Sequence, residues 1–130
     1  MDILLPIDGS DCSMRALRFG ADFCRRFEGS MHVVHITDVE TEATEELIDR
    51  AESILADEGI HDAPEVEIDI DLSFRPSTQI GEDILEMVEE QGYDHVIMGH
   101  HGAGTVDRMI LGSAAETVLR SNAVPVTVIP

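Results

Sequence analysis

The residues whose types and spacing could do chemistry lie between Gly99 and Ser113: Gly-His-His-Gly-Ala-Gly-Thr-Val-Asp-Arg-Met-Ile-Leu-Gly-Ser. The apolar run His95 to Met98 precedes them and reads as a buried strand. Ser113 to Arg120 follows and reads as a helix. Gly99 and Gly102 therefore sit where a strand ends, and Gly112-Ser113 where a helix begins. Glycine lets backbone come close to a ligand and takes positive φ at little cost. A helix start offers unpaired N–H groups and the positive end of a dipole, a ready site for phosphate. A second exit lies near the N-terminus, where Asp8-Gly9-Ser10 ends the apolar run Ile3 to Ile7. Ligands of open α/β sheets bind beyond the carboxyl ends of strands, where strand order reverses. If the first and fourth strands are neighbours, both exits open into one crevice. An acid beside a glycine-rich phosphate loop suggests a nucleotide, with phosphates at the glycines and Ser113 and the nucleoside near Asp8. The glycine pair alone is a weak signal, because turns use glycine too. The stretch is not a P-loop, since the Gly-Lys-Ser/Thr ending is missing. It is not the dinucleotide fingerprint, which follows a first strand.

The elements that must position these residues alternate in type. After the first strand, Ser10 or Asp11 is placed to cap a helix. Met14, Leu17, Ala21, Cys24 and Phe27 then recur at helical spacing, and Gly29 is the expected C-terminal cap. Met31 to Ile36 is a β-branched strand, and Glu42 to Glu58 a helix ended by Gly59. From Glu65 to Phe74 apolar and polar residues alternate, the pattern of a half-exposed edge strand whose acids discourage edge pairing. Thr78 to Gln91 is a helix, and Val124 to Ile129 closes the chain as a fifth strand. Strands alternating with helices predict a parallel sheet covered on both faces, with right-handed crossovers. No linker, repeat or low-complexity segment divides residues 1–130, which predicts one domain.

Charge limits the partners. Asp and Glu number 27 against eight basic residues, for a net charge of −19, and all eight are arginine. Nucleic acid needs basic patches, so it is excluded as a partner. Such charge repels itself at low salt. A merely acidic protein is the plain reading; with lysine absent, the composition points instead to a salt-rich cytoplasm, where screening reaches only a few ångströms. No apolar run approaches the roughly 20 residues that span a bilayer, and Met1-Asp-Ile-Leu-Leu-Pro has no basic n-region. No membrane and a cytoplasmic location are expected. Cys12 and Cys24 fall on one helix about 18 Å apart, too far to bridge.

Gly99-x2-Gly102-x9-Gly112-Ser113 resembles the signature of ATP-binding universal stress proteins, G-x2-G-x9-G-S/T. The similarity extends over Asp94 to Gly102, over Leu111 to Arg120, over Val124 to Ile129, and over the first strand, Ile3 to Ser10. It implies a three-layer α/β sandwich whose five parallel strands run in the order 3-2-1-4-5 with four helices. It implies ATP as ligand, Asp8 at the nucleoside end, and the Ile36 backbone at adenine. Ile7 and Met98 would flank the base or sugar. Gly99, His101, Gly102, Gly112, Ser113, Ala114 and Ala115 match phosphate-loop and helix-start positions. It also implies a homodimer through the C-terminal strand. Departures are His100 where serine is common, Ala103 where a basic residue is common, and Ala115 where some members carry a hydroxyl. With few side-chain donors, affinity rests on backbone N–H groups and on Mg²⁺ or Mn²⁺ bridging the phosphates.

Plainer roles stand beside these. Asp8 could be a helix-start acid and Ser113 a simple cap. His32 and His35 are expected to be structural, and His100 to face solvent. The six histidines lack metal-ligand spacing. No nucleophile–base pair is evident, so catalysis would be at most slow ATP hydrolysis. Three readings are open: an ATP-binding stress-response regulator, a slow ATPase, and a dimeric scaffold that binds no nucleotide.

Overall fold

Each predicted apolar run becomes a strand of one parallel sheet in this computed structural model, which describes residues 1–61, 64–69, 76–101 and 111–130. The strands are β1 (Asp2–Pro6), β2 (Ser30–Thr37), β3 (Glu65–Ile68), β4 (His95–Gly99) and β5 (Val126–Ile129). Between them run helices α1 (Asp11–Phe27), α2 (Glu42–Asp57), α3 (Pro76–Gln91) and α4 (Ser113–Arg120). The strand order is β3-β2-β1-β4-β5, all neighbours parallel, so the expected 3-2-1-4-5 arrangement holds.

The central strand explains why its sequence does not alternate. Ile3, Leu4 and Leu5 are all fully buried, because helices cover both faces of a parallel sheet. Ile3, Leu5 and Ile7 pack with Leu17 of α1 and Ile54 and Leu55 of α2. Leu4 packs on the other side with Ile84 and Val88 of α3 and Val118 of α4. Each such fully buried aliphatic side chain contributes roughly 1.5–3 kcal/mol of transfer free energy. β2 is divided in the same way, with Val33 in the first cluster and Val34 and Ile36 in the second. Cys12 and Cys24 are buried free thiols. Among the described residues, no helix is long and apolar enough to cross a membrane.

Three local expectations are corrected. The left-handed residue at the end of α1 is Glu28 (φ 52°), not Gly29. The Gly29 N–H still closes the helix by donating to the Cys24 carbonyl at 3.0 Å. A Cβ on Gly29 would stand 3.2 Å from the Met1 carbonyl, so its small size serves that close passage. The C-terminal strand starts at Val126 rather than Val124. β3 is the sheet edge as expected, but its described span is only Glu65–Ile68, and Ile68 is exposed rather than inward. Ile70 to Phe74 lie outside the described residues.

Candidate functional site

The two strand exits meet because β1 and β4 are neighbours. Their pairing, Ile3 with His95 and Leu4 with Val96, stops there. The reason lies in one residue. The Ile7 N–H donates to Val34 on β2 at 2.8 Å. Successive strand residues point their backbone groups to opposite sides, so the Pro6 nitrogen faces β4. Proline has no N–H, so the ladder cannot extend to Leu5 and Ile97. A gap between β1 and β4 therefore opens at Pro6.

The chain turns at Gly9, whose φ of +84° is costly for any side chain. Asp8 Oδ1 accepts the Ser10 N–H at 2.9 Å, and Ser10 Oγ accepts the Ser13 N–H at 3.2 Å, so α1 starts capped. The start of α1 also grips the β4 exit. The Cys12 thiol donates to the His101 carbonyl at 2.9 Å, and Ser10 Oγ lies 3.4 Å from the same oxygen. Gly99 makes that approach possible: a Cβ there would stand 2.8 Å from Cys12 Sγ and 3.0 Å from the Ser13 nitrogen. Packing thus gives Gly99 a reason to be glycine that the sequence reading did not include. Its missing side chain makes room for α1.

Above the gap lies a cavity of about 170 Å³, partly open to solvent. Its inner wall is apolar: Ile36 from β2, Met98 from β4, and Ile80 and Ile84 from α3. Pro6, Ile7 and Asp8 bring in the β1 exit, and Gly99, His100 and His101 the β4 exit. Gly112, Ser113, Ala114 and Ala115 complete it with the start of α4. That start differs from the start of α1. Its cap is Gly112, which has no side chain to offer, and no side-chain cap bond is made. Gly112 is held by its own N–H, which donates to the His100 carbonyl at 2.8 Å. Ser113 is thus the first helical residue and not the cap. The first N–H groups of α4 lie at a cavity wall with no side-chain acceptor among the described residues.

Ten of the eleven candidate residues line this one cavity: Ile7, Asp8, Ile36, Met98, Gly99, His101, Gly112, Ser113, Ala114 and Ala115. The eleventh, Gly102, lies outside the described residues. His100, expected in solvent, is half-buried and lines the cavity. Pro6, Ser13, Ile80 and Ile84 were not anticipated. Pro6 carried a readable signal, since proline is foreign to a central strand. The α3 isoleucines carried none beyond helical periodicity. Asp8 is exposed and already accepts from Ser10, so it serves the turn as well as the cavity rim. His35 Nδ1 lies 2.8 Å from the Ile7 carbonyl and His32 Nε2 lies 3.1 Å from Glu65, both structural roles.

The family model of the universal stress protein family matches residues 1–130. The chain belongs to that family. Among its relatives is universal stress protein MJ0531 of Methanocaldococcus jannaschii, 27% identical over 139 aligned positions that cover 98% of this chain and 80% of that protein. A universal stress protein structure from Archaeoglobus fulgidus superposes with a TM-score of 0.75 at 23% identity, over 100% of this chain and 93% of that one. The Archaeoglobus fulgidus universal stress protein in complex with dAMP superposes with a TM-score of 0.73 at 22% identity, over 100% of this chain and 98% of the other.

Proposed function

We propose that this protein is a nucleotide-responsive regulator that binds ATP, with Mg²⁺ or Mn²⁺, at the carboxyl ends of β1 and β4. The observation that carries this reading is the side-chain-free start of α4 on the wall of an apolar cavity. Apolar walls at Ile36, Met98 and Ile84 suit a purine base. N–H groups at Ser113, Ala114 and Ala115, which meet no side-chain acceptor among the described residues, suit phosphate, reinforced by the helix dipole. The dAMP complex of the Archaeoglobus fulgidus relative supports an adenine nucleotide. Among the described residues no cluster of three or more histidine, cysteine or acidic side chains could hold a metal ion. A divalent cation would then arrive on the phosphates, offsetting the repulsion that a −19 chain exerts on ATP.

The test is calorimetric titration with ATP and Mg²⁺ in molar KCl, alongside Ser113→Glu, which places a carboxylate where phosphate should lie. Wild-type binding that Ser113→Glu abolishes is the expected result. Equal affinity of the two proteins would remove the phosphate from the start of α4. Phosphate release followed over hours in the same samples reads any slow hydrolysis. We further propose a homodimer through β5, the sheet edge opposite β3. Residues 121–130 carry no charged side chain, so two strongly acidic copies can approach there. A monomeric mass by light scattering at molar salt would remove that proposal.

A further inference from the structure

Five described arginines sit in ion pairs: Arg18 and Arg25 with Glu58, Arg25 and Arg26 with Asp22, Arg50 with Asp11, and Arg120 with Glu116. Arg15 is the described arginine that has none. In a chain with 27 acids and eight arginines, a cation without a side-chain carboxylate among the described residues runs against the numbers. Arg15 is nevertheless held in place, since its Nε donates to the Pro130 carbonyl at 2.8 Å. That bond uses the inner nitrogen of the guanidinium and leaves the two outer ones for another acceptor.

Its place in the fold says which acceptor. Arg15 lines a surface cleft with Asp11, His100, His101 and Pro130. His100 and His101 also line the cavity at the β1 and β4 exits, so cavity and cleft share the wall that the two histidines form. The acid of the cleft, Asp11, lies 3.4 Å from Arg50 and is engaged there. A ligand that reached from the cavity over His100 and His101 would meet Arg15 in the adjoining cleft. We propose that Arg15 receives the terminal phosphates of a nucleoside triphosphate and makes the protein prefer ATP to AMP. A guanidinium presents a planar fork to phosphate oxygens, stronger than a neutral donor. A nucleoside monophosphate seated at the start of α4 would stop short of it. This inference rests on the nucleotide reading above and adds to it a choice by phosphate number.

The experiment titrates ATP and AMP, each with Mg²⁺ in molar KCl, into wild type, Arg15→Gln and Arg15→Lys, with the melting temperature of each protein recorded. In Arg15→Gln, ATP affinity should fall about tenfold while AMP affinity stays within about twofold. Arg15→Lys keeps the charge and loses the fork, so part of the ATP preference should return. If Arg15 only fastened the end of β5 to α1, the melting temperature and both affinities would move together, and the inference would be overturned. Unchanged ATP affinity in Arg15→Gln overturns it as well. A wild type that binds neither nucleotide overturns the nucleotide reading itself, a result distinct from either of those.

Discussion

Gly99→Ala should loosen the joint between the two strand exits. The added Cβ would stand 2.8 Å from Cys12 Sγ, 3.0 Å from the Ser13 nitrogen and 3.2 Å from the Cys12 carbonyl carbon. Comfortable carbon contacts begin at roughly 3.5 Å. The start of α1 must therefore retreat from the end of β4 by about half an ångström or more. No side-chain rotation relieves this, because two of the three atoms are backbone and Cys12 is fully buried. Overpacking of this kind costs about 1–3 kcal/mol. For a chain of this length that lowers the melting temperature by roughly 3–12 °C. Urea unfolding of wild type, Gly99→Ala, Cys12→Ala and the double variant at fixed molar salt separates the contributions. The double variant removes the sulfur contact but not the one at the Ser13 nitrogen, so it should recover part of the loss. The Cys12 thiol also bonds the His101 carbonyl, so the cycle is read from its interaction energy and not from the single variants. A Gly99→Ala protein within about 0.5 kcal/mol of wild type would refute the account of why glycine stands there.

Asp83 provides a pH-dependent test. Its pKa is pushed up to about 6, chiefly by burial and then by the neighbouring Asp69 carboxyl. Gln79 donates to Oδ1 at 3.0 Å, whereas buried Oδ2 accepts no hydrogen bond among the described residues. The folded protein therefore keeps this proton between about pH 4 and 6 while the unfolded chain releases it, and stability falls as pH rises through that window. Asp83→Asn should stabilise by about 1 kcal/mol at pH 8, once screening of a partly exposed group is counted, and the gain should vanish near pH 4. A gain independent of pH would point to packing instead. Net charge provides the other test. Taking the protein from molar to about 10 mM salt lengthens the screening distance from about 3 to about 30 Å. With a net charge of −19, the melting temperature should drop by at least about 10 °C. A melting temperature indifferent to salt would remove the proposed adaptation to a salt-rich interior.

Much of this protein is local chemistry, and local chemistry can be read along a chain. The apolar runs at Ile3–Ile7 and His95–Met98, the helical spacing of Leu17, Ala21 and Cys24, and the glycine–serine pair before α4 determine element types, their order and the parallel sheet. The resemblance to universal stress proteins, carried by the same stretches, placed ten candidate residues that share one cavity. Element ends were less legible where the deciding contact was distant. Gly29 reads as a helix cap, yet the left-handed turn falls on Glu28 and the glycine faces the Met1 carbonyl. The alternation from Glu65 to Phe74 predicts strand, and the described residues show Glu65–Ile68 paired with β2, whereas Ile70 to Phe74 lie outside them.

What spacing could not decide is which neighbour a small or polar residue serves. Gly99 is legible as a position that wants no side chain, but only packing reveals that α1 fills the space. Ser113 reads equally well as a cap, and only the backbone at Gly112 assigns the cap elsewhere. The α3 isoleucines on the cavity wall and Arg15 beside His100 are separated from the glycine stretch in sequence and are joined to it by strand order alone. The residue types and periods of this chain determined a parallel sheet covered by helices on both faces, with two glycine-bearing strand exits. The tertiary structure decided what surrounds those exits, because side chains distant in sequence meet only after the crossovers bring β1 and β4 together.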